Sequence, residues 1–124
     1  MRMTASLCLT PIAAAAAMFA VPVVAQTAAA PPAFNACRAC HSVDKGGKNG
    51  IGPNLNGVAG RSAASAPGFG YSPALKGAKL TWDDQTLDAF LAAPAKKVPG
   101  TRMPIATPDP AKRAAIIAYL KSLK

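Results

Sequence analysis

The sequence predicts a small all-α domain in which three or four short helices are joined by long loops. The clearest helical signal is an apolar stripe near the C-terminus, where Ile116, Tyr119, Leu120 and Leu123 recur at helical spacing. No segment alternates polar and apolar residues as a half-buried strand does. Glycine, proline, asparagine and serine fill residues 45–71, which predicts a long irregular loop. The helices carry too few large apolar side chains to form a core by themselves.

The first 25 residues have the pattern of a secretory signal peptide. Arg2 gives a positive start, residues 7–24 are apolar and uncharged, and Val23 and Ala25 suit a signal peptidase. We expect cleavage after Ala25, and Cys8 is expected to leave with the signal. The alternative is a retained membrane anchor, because about 18 apolar residues are only just enough to span a bilayer. Both interpretations export the rest of the chain, and we expect a periplasmic location.

Residues 26–32 are expected to be a spacer and residues 33–124 a single domain. Of the 14 lysines and arginines, only Arg2 lies in the signal, which leaves 13 basic residues against 5 aspartates and no glutamate. The mature chain therefore carries a net charge of about +8, which favours an acidic patch on another protein or on a membrane complex as its partner. Nucleic acid is a poorer match, because the basic residues are scattered and have no interleaved aromatic side chains.

Prolines and capping residues mark the first two expected helices. Pro32 suits the first turn of a helix over residues 33–43. Further along, Ser72 is expected to cap a short helix that begins at Pro73 and stops at Gly77.

Two more helices are expected in the second half of the domain. Thr81 is a candidate cap for a longer helix that ends at Pro94. Its apolar face would consist of Leu87, Phe90 and Leu91. A proline-rich loop over residues 94–108 then leads to Asp109 and Pro110, which are a cap and a favourable first residue for the last helix.

Cys37, Cys40 and His41 form the motif that carries the chemistry. Two thiols three positions apart can add to the two vinyl groups of a haem, and the next residue can place an imidazole nitrogen on the iron. A thioredoxin-type redox pair would need a βαβ setting, and a zinc site would need two more ligands that the mature chain lacks. In an exported chain the motif therefore predicts one covalently bound haem c.

Met103 is the predicted second axial ligand of the iron. His41 is the only histidine, and the other three methionines are expected to leave with the signal. Residues 99–104 form a stiff, turn-rich loop that suits a thioether held against the opposite face of the cofactor. A lone methionine in an arbitrary protein is more often core filler. The remaining alternative is an open or water-bound iron, which would indicate a gas sensor or a haem enzyme.

Two strong axial ligands leave the iron no open position for a substrate, so the ligand set predicts an electron carrier and not an enzyme. A loosely bound Met103 would favour a haem enzyme or gas sensor instead. A thiol oxidoreductase, with Cys37 and Cys40 as its redox pair, is the second rival.

Beyond this motif, residues 34–124 resemble the class I cytochromes c of the soluble mitochondrial and bacterial type, which hold one haem. The resemblance is carried by short motifs in the family's order, at residues 52–55, 60–61, 67–69, 71, 81–82, 94, 99–101, 103 and 118–120. It implies a class I cytochrome c fold wrapped around the haem. It also implies a monohaem carrier that cycles between ferric and ferrous iron and serves periplasmic or membrane redox partners.

The resemblance also implies roles for residues around the cofactor. The Pro53 carbonyl would accept the proton of the second His41 ring nitrogen and so fix its tautomer. The haem propionates would be held by Arg61, Tyr71, Trp82 and Thr101, since buried carboxylates need donors or a positive charge. Plain core packing is the alternative for Trp82 and Tyr71.

Three departures from the family pattern affect the expected pocket. Phe90 stands where a tyrosine is usual and Leu75 where an asparagine is frequent, which predicts a drier pocket with fewer hydrogen bonds. Prolines close before Cys37 shorten the first helix, so Phe34 is expected to contact Tyr119 or Leu120. The third departure is Ile105, which stands where a large aromatic residue is usual. The smaller side chain is expected to cover one edge of the haem less.

Five basic residues are expected to surround the exposed haem edge and to steer docking: Lys45, Lys48, Lys96, Lys97 and Arg102. The association rate with an acidic partner should then fall as salt rises. Ordinary solubilising charge is the alternative for any one of them. The carrier is expected to be a monomer.

Overall fold

The computed structural model describes residues 20–22 and 28–124, and these residues form a helical domain. A 3₁₀ turn at Pro32–Phe34 leads into five α-helical segments: α1 Asn35–Arg38, α2 Pro73–Gly77, α3 Asp84–Ala92, α4 Pro94–Lys97 and α5 Pro110–Ser122. The predicted all-α class is confirmed. There are five segments where three or four helices were predicted, because the single turn α4 forms at the start of the predicted loop over residues 94–108. In the described part of the chain, the only extended pairing is an isolated bridge between Ser62 and Thr81.

The predicted signal peptide and its cleavage site lie almost entirely outside the described residues. Of the spacer expected over residues 26–32, the described part from residue 28 is irregular until the 3₁₀ turn begins at Pro32. Among residues 20–22 and 28–124, no helix is both long enough and apolar enough to cross a membrane.

The first helix is shorter than the predicted span of residues 33–43. Pro32 does start the helical turn, but α1 ends at Arg38. The reason lies in the next carbonyls, which bond to a different segment of the chain. The Cys40 carbonyl accepts the Gly52 amide at 2.8 Å, and the Ser42 carbonyl accepts the Leu55 amide at 2.9 Å. A helix cannot continue when its acceptors are engaged in this way.

Residues 45–71 contain no helix or strand, as predicted, and α2 follows with the predicted cap. The Ser72 hydroxyl accepts the Leu75 amide at 3.1 Å, and Pro73 is the first helical residue. Gly77 is the last helical residue, but the left-handed residue after the helix is Lys79, with φ of 50°.

The prediction that Thr81 caps α3 is wrong. Thr81 pairs with Ser62, and the Trp82 amide donates to the Arg61 carbonyl at 2.9 Å, so this stretch is extended. The cap is Asp83, whose carboxylate accepts the Thr86 amide at 2.7 Å. The other end of α3 agrees with the prediction, because Pro94 lies just beyond it and begins α4.

The core lies where α3 and α5 pack together and where α5 contacts the N-terminal 3₁₀ turn. Phe34 and Ile116 are its most deeply buried large side chains, at 0% and 1% exposure. The expected contact of Phe34 with α5 is present, since its ring centroid lies 4.8 Å from that of Tyr119, edge to face. The start of α5 at Pro110 and its cap by Asp109 also agree with the prediction.

Candidate haem site

Cys37, Cys40 and His41 lie at the end of α1 and in the turn that follows it. The His41 amide donates to the Cys37 carbonyl at 2.9 Å, which fixes the turn. Both cysteines are free thiols of intermediate burial. Burial raises the pKa of the Cys37 thiol, and the neighbouring Cys40 adds to the rise. A reactive redox thiol needs a lowered pKa, so the Cys37 environment does not favour the thiol-oxidoreductase alternative.

The His41 imidazole is held in one orientation by the segment that begins at Gly52. The Nδ1 atom of His41 lies 2.7 Å from the Pro53 carbonyl oxygen, the contact that the resemblance implied. A carbonyl only accepts, so Nδ1 carries the proton and Nε2 is left as the free lone pair. Gly52 lies against the same ring, where a Cβ atom would come within 2.7 Å of Nδ1 and 2.9 Å of Nε2.

The side chain of Asn54 ties the two segments together. Its amide nitrogen donates to the Ser42 hydroxyl at 2.8 Å and to the Asp44 carbonyl at 2.9 Å. Its own main-chain amide donates to the Asn49 side chain at 2.9 Å. These bonds link the segment that follows His41 to the segment that contains Pro53, whose carbonyl orients the imidazole. Asn54 has no predicted role from the sequence, although it lies in the motif of residues 52–55.

Met103 lies in the loop between α4 and α5, 62 positions after His41. Gly100, with φ of 90°, makes the turn that precedes it, and the Thr101 amide donates to the Val98 carbonyl at 3.0 Å. The Thr101 hydroxyl accepts the Met103 amide at 3.3 Å. Met103 is half-buried, and its side chain packs at the edge of the core.

Arg61 and Trp82 are brought side by side by backbone hydrogen bonds. The Gly60 amide donates to the Trp82 carbonyl at 2.8 Å, and the Trp82 amide donates to Arg61. Two nitrogens of the Arg61 guanidinium donate to main-chain carbonyls, Nη1 to Asn56 at 3.2 Å and Nη2 to Asn54 at 3.4 Å. The third nitrogen, Nε, is buried and has no hydrogen-bond partner among the described residues. A buried donor of a charged group in this state is typical of a site that receives its acceptor from an ordered water or a bound group.

Tyr71, Thr101 and Phe90 complete the polar and apolar parts of the wall. The Tyr71 hydroxyl accepts the Ala66 amide at 3.0 Å, which leaves its own proton free to donate. The Thr101 hydroxyl likewise accepts the Met103 amide, which leaves its own proton free to donate. Phe90 packs on Trp82 with ring centroids 5.0 Å apart and has no polar atom to offer.

One cavity collects all of these groups. Its volume is about 370 Å³, and its wall is mainly apolar. All nine predicted site residues line it: Cys37, Cys40, His41, Pro53, Arg61, Tyr71, Trp82, Thr101 and Met103. The residues that depart from the family pattern, Leu75, Phe90 and Ile105, line it as well.

The donor set of the cavity fits haem c. The two free thiols match the vinyl groups of that cofactor, and the imidazole with an unprotonated Nε2 and the thioether match its iron. The buried arginine donor in an apolar wall matches its propionates. Among the described residues, no group of three or more His, Cys, Asp or Glu side chains could hold a metal ion, so the zinc alternative has no matching ligand cluster there.

The five basic residues expected around the haem edge are all exposed. Of these only Arg102 lines the cavity, where its Nη1 donates to the Gly70 carbonyl at 3.2 Å. Two large apolar side chains also lie exposed on the cavity wall, Ile51 at 81% and Ile105 at 47% exposure.

This fold and this cavity define a class of small haem-binding domains, and comparison with known proteins specifies the family. The family model described as Cytochrome c matches residues 28–124. The chain is 51% identical over 92 residues to cytochrome c2 of Rhodoblastus acidophilus, an alignment that covers 73% of this chain and 86% of that protein. It is 50% identical over 99 residues to cytochrome c2 iso-1 of Magnetospirillum molischianum, covering 77% and 98%. The solved structure of cytochrome cH from Methylobacterium extorquens superposes with a TM-score of 0.68 at 50% identity, covering 73% and 91%.

The chain belongs to the cytochrome c family. It is a class I, monohaem cytochrome c that carries one covalent haem c. It is an electron-transfer protein and not an enzyme, and it passes electrons between redox partners. The predictions of family, fold, cofactor and function are therefore confirmed.

Proposed function

We propose that Cys37 and Cys40 form the two thioethers to haem c, and that His41 and Met103 bind its iron from opposite faces. The observation that carries the proposal is the shared cavity, which Met103 lines together with a motif 62 positions earlier in the chain. Met103 is also the only methionine outside the predicted signal.

His41 binds through Nε2, because Nδ1 donates its proton to the Pro53 carbonyl. That hydrogen bond gives the imidazole more anionic character and makes it a stronger donor to a metal. Arg61 Nε, the Tyr71 hydroxyl and the Thr101 hydroxyl each retain a proton to donate, and Trp82 adds its ring N–H. These four side chains would hold the propionates by hydrogen bonds, and the charge of Arg61 would partly neutralise them. When bound, haem supplies an iron that gains and loses one electron.

The protein surface supplies the partner recognition. Acidic patches on redox partners or membrane complexes dock against the exposed basic residues, with Arg102 nearest the cavity and Lys45, Lys48, Lys96 and Lys97 further out. The carrier works as a monomer. Association should slow as salt rises, and Lys96→Gln should lower both the rate and its salt dependence. Lys121→Gln is the matched control, since Lys121 is already paired with Asp84 at 2.8 Å. Equal effects of the two variants would contradict a docking role for Lys96.

Residues 1–25 act as a cleaved signal peptide, residues 26–32 as a spacer and residues 33–124 as the cytochrome domain, which functions in the periplasm. The mature mass and N-terminal sequence of the protein recovered from the periplasmic fraction test this proposal. A chain that begins at Gln26 supports it. A chain that keeps residues 1–25 in the membrane fraction contradicts it.

The visible spectrum of the purified protein tests the axial ligands. A pyridine haemochrome assay should give the spectrum of a haem with both vinyl groups saturated, and the ferric protein should show the weak iron–sulfur band at the red end. Met103→Ala should abolish that band and leave the haemochrome unchanged. Ile105→Ala, two positions away on the same cavity wall, is the control and should keep the band. An unchanged band in Met103→Ala would contradict the proposal.

A further inference from the structure

We propose that Arg113 and Asp88 position the loop that carries Met103, and that this ion pair sets how readily Met103 leaves the cavity. The proposal rests on the proposed role of Met103 as an axial ligand. Arg113 lies 10 positions after Met103, on the first turns of α5, and Asp88 lies on α3. Neither residue lines the cavity.

The Arg113 guanidinium joins a helix and a loop. Its Nε donates to the Asp88 carboxylate at 2.7 Å. Its Nη1 donates to two consecutive loop carbonyls, Thr107 at 3.1 Å and Pro108 at 2.6 Å. The Arg113 side chain is only 13% exposed, so these charge-assisted bonds are partly shielded from water. Asp88 therefore fixes the plane of the guanidinium, and the guanidinium fixes the loop.

The loop has few other attachments beyond Met103. Residues 104–106 are exposed and make no hydrogen bond to any other described residue. The chain is held again only at Thr107, where the amide donates to the Leu91 carbonyl at 2.7 Å. The same peptide segment is the one that Arg113 binds. Loss of the guanidinium would leave the segment after Met103 with that single main-chain bond as its anchor.

A second ion pair between the same helices separates loop anchoring from helix packing. Lys121 on α5 lies 2.8 Å from Asp84 on α3, with both side chains more than half exposed. This pair touches no loop residue. Two pairs thus bridge α3 and α5, and only Arg113–Asp88 reaches the Met103 loop. Exposed pairs contribute little to stability, so the Lys121 pair serves as the internal reference.

Competition with free imidazole measures the position of Met103 in the haem-loaded ferric protein. Imidazole can bind the iron only when Met103 has left, so its apparent affinity reports the population of the open loop. Arg113→Ala should bind imidazole about tenfold more tightly, the change equivalent to roughly one hydrogen bond. Arg113→Lys and Asp88→Asn, which keep a donor or an acceptor, should lie between this value and the wild type. Lys121→Ala should bind it as the wild type does.

Amide hydrogen exchange gives a readout that does not depend on the iron ligands. The Thr107 amide should exchange faster in Arg113→Ala than in Lys121→Ala, while amides in the middle of α5 should be protected equally in both. If Arg113→Ala does not accumulate, Arg113→Lys and Asp88→Asn give the same comparison. Imidazole affinity and Thr107 protection in these variants equal to those of Lys121→Ala would overturn the proposal.

The Met103→Ala variant separates a failure of the proposed ligand set from a failure of the proposed role of Arg113. If it binds imidazole far more tightly than the wild type, Met103 is the ligand and the Arg113 variants decide the present proposal. If it binds imidazole with unchanged affinity, Met103 is not the displaced ligand, and both the proposed ligand set and this inference are wrong.

Discussion

Gly52 lies so close to the His41 imidazole that a single added carbon would come within 2.7 Å of Nδ1. No side chain other than hydrogen fits at this position. The Gly52 amide donates to the Cys40 carbonyl at 2.8 Å, and the Pro53 carbonyl accepts from the imidazole, so the segment is tied to the ring at both residues. The orientation of the proposed ligand is therefore built into the backbone of a second segment.

Gly52→Ala should disrupt this packing. The methyl group must displace either the imidazole or the backbone of its own segment, an overpacking cost of about 1–3 kcal/mol. We expect a lower midpoint of chemical denaturation and a lower fraction of haem-loaded protein. Gly77→Ala is the control, because a Cβ atom at that helical position meets no neighbour within 4 Å. Equal behaviour of the two variants would show that the close approach at Gly52 is not restrictive.

Asn54→Ala should change the reduction potential as well as the stability. The substitution removes the bonds to Ser42 and Asp44 that hold Pro53 in place, which costs about 1–3 kcal/mol of stability. A looser Pro53 carbonyl makes the imidazole a weaker donor, which favours ferrous iron and raises the potential. Redox titration checks the direction, with Gln85→Ala on the exposed side of α3 as the control. A loss of stability with no shift in potential would leave Asn54 with a structural role only.

Phe90→Tyr tests the apolar character of the pocket. Phe90 is 6% exposed and packs on Trp82 in the cavity wall, so the new hydroxyl would enter a dry environment. A hydrogen bond to the Met103 sulfur would favour ferrous iron and raise the potential. Added water would favour ferric iron and lower it. A raised potential in a redox titration identifies the hydrogen bond as the larger effect, and a lowered potential identifies the added water. An unchanged potential would contradict a dominant role for either.

Asp83 should contribute to the loss of stability in acid. Its hydrogen bond from the Thr86 amide at the start of α3 lowers the pKa of this carboxyl below its ordinary value. A carboxyl with a lower pKa in the folded chain stabilises the fold fully above its unfolded pKa, and the contribution disappears as the pH falls through the folded pKa. Asp83→Asn keeps a cap oxygen but does not titrate. Thermal unfolding across the acid range should therefore show a shallower decline for this variant, and an identical decline would contradict the assignment.

Local signals in the sequence were sufficient for the two helices in which a capping residue directly precedes a proline. Ser72 before Pro73 and Asp109 before Pro110 marked the starts of α2 and α5 correctly, because a capping oxygen and a fixed proline φ act within a few residues. The prediction that Thr81 caps α3 was wrong because a threonine is both a good cap and a good strand residue. Its pairing with Ser62, which lies 19 positions earlier, decided between the two. The end of α1 was likewise set by distant partners, Gly52 and Leu55.

In the candidate site, too, some features could be predicted from local sequence and others depended on distant contacts. The spacing of Cys37, Cys40 and His41 and the scarcity of other ligands were enough to select residues that the fold brings to one cavity. The supporting contacts were not visible in the spacing. Asn54 and Arg113 act through hydrogen bonds to main-chain carbonyls, and any long polar side chain in a loop or on a helix could have made such bonds. Their partners became apparent only from the fold.

X-ray absorption at the iron edge of the purified ferric and ferrous protein tests the central claim most directly. The account predicts a single sulfur neighbour among nitrogen ligands in both oxidation states, and the loss of that sulfur in Met103→Ala. A nitrogen- and oxygen-only environment in the wild type, or a sulfur neighbour that persists in Met103→Ala, would contradict it.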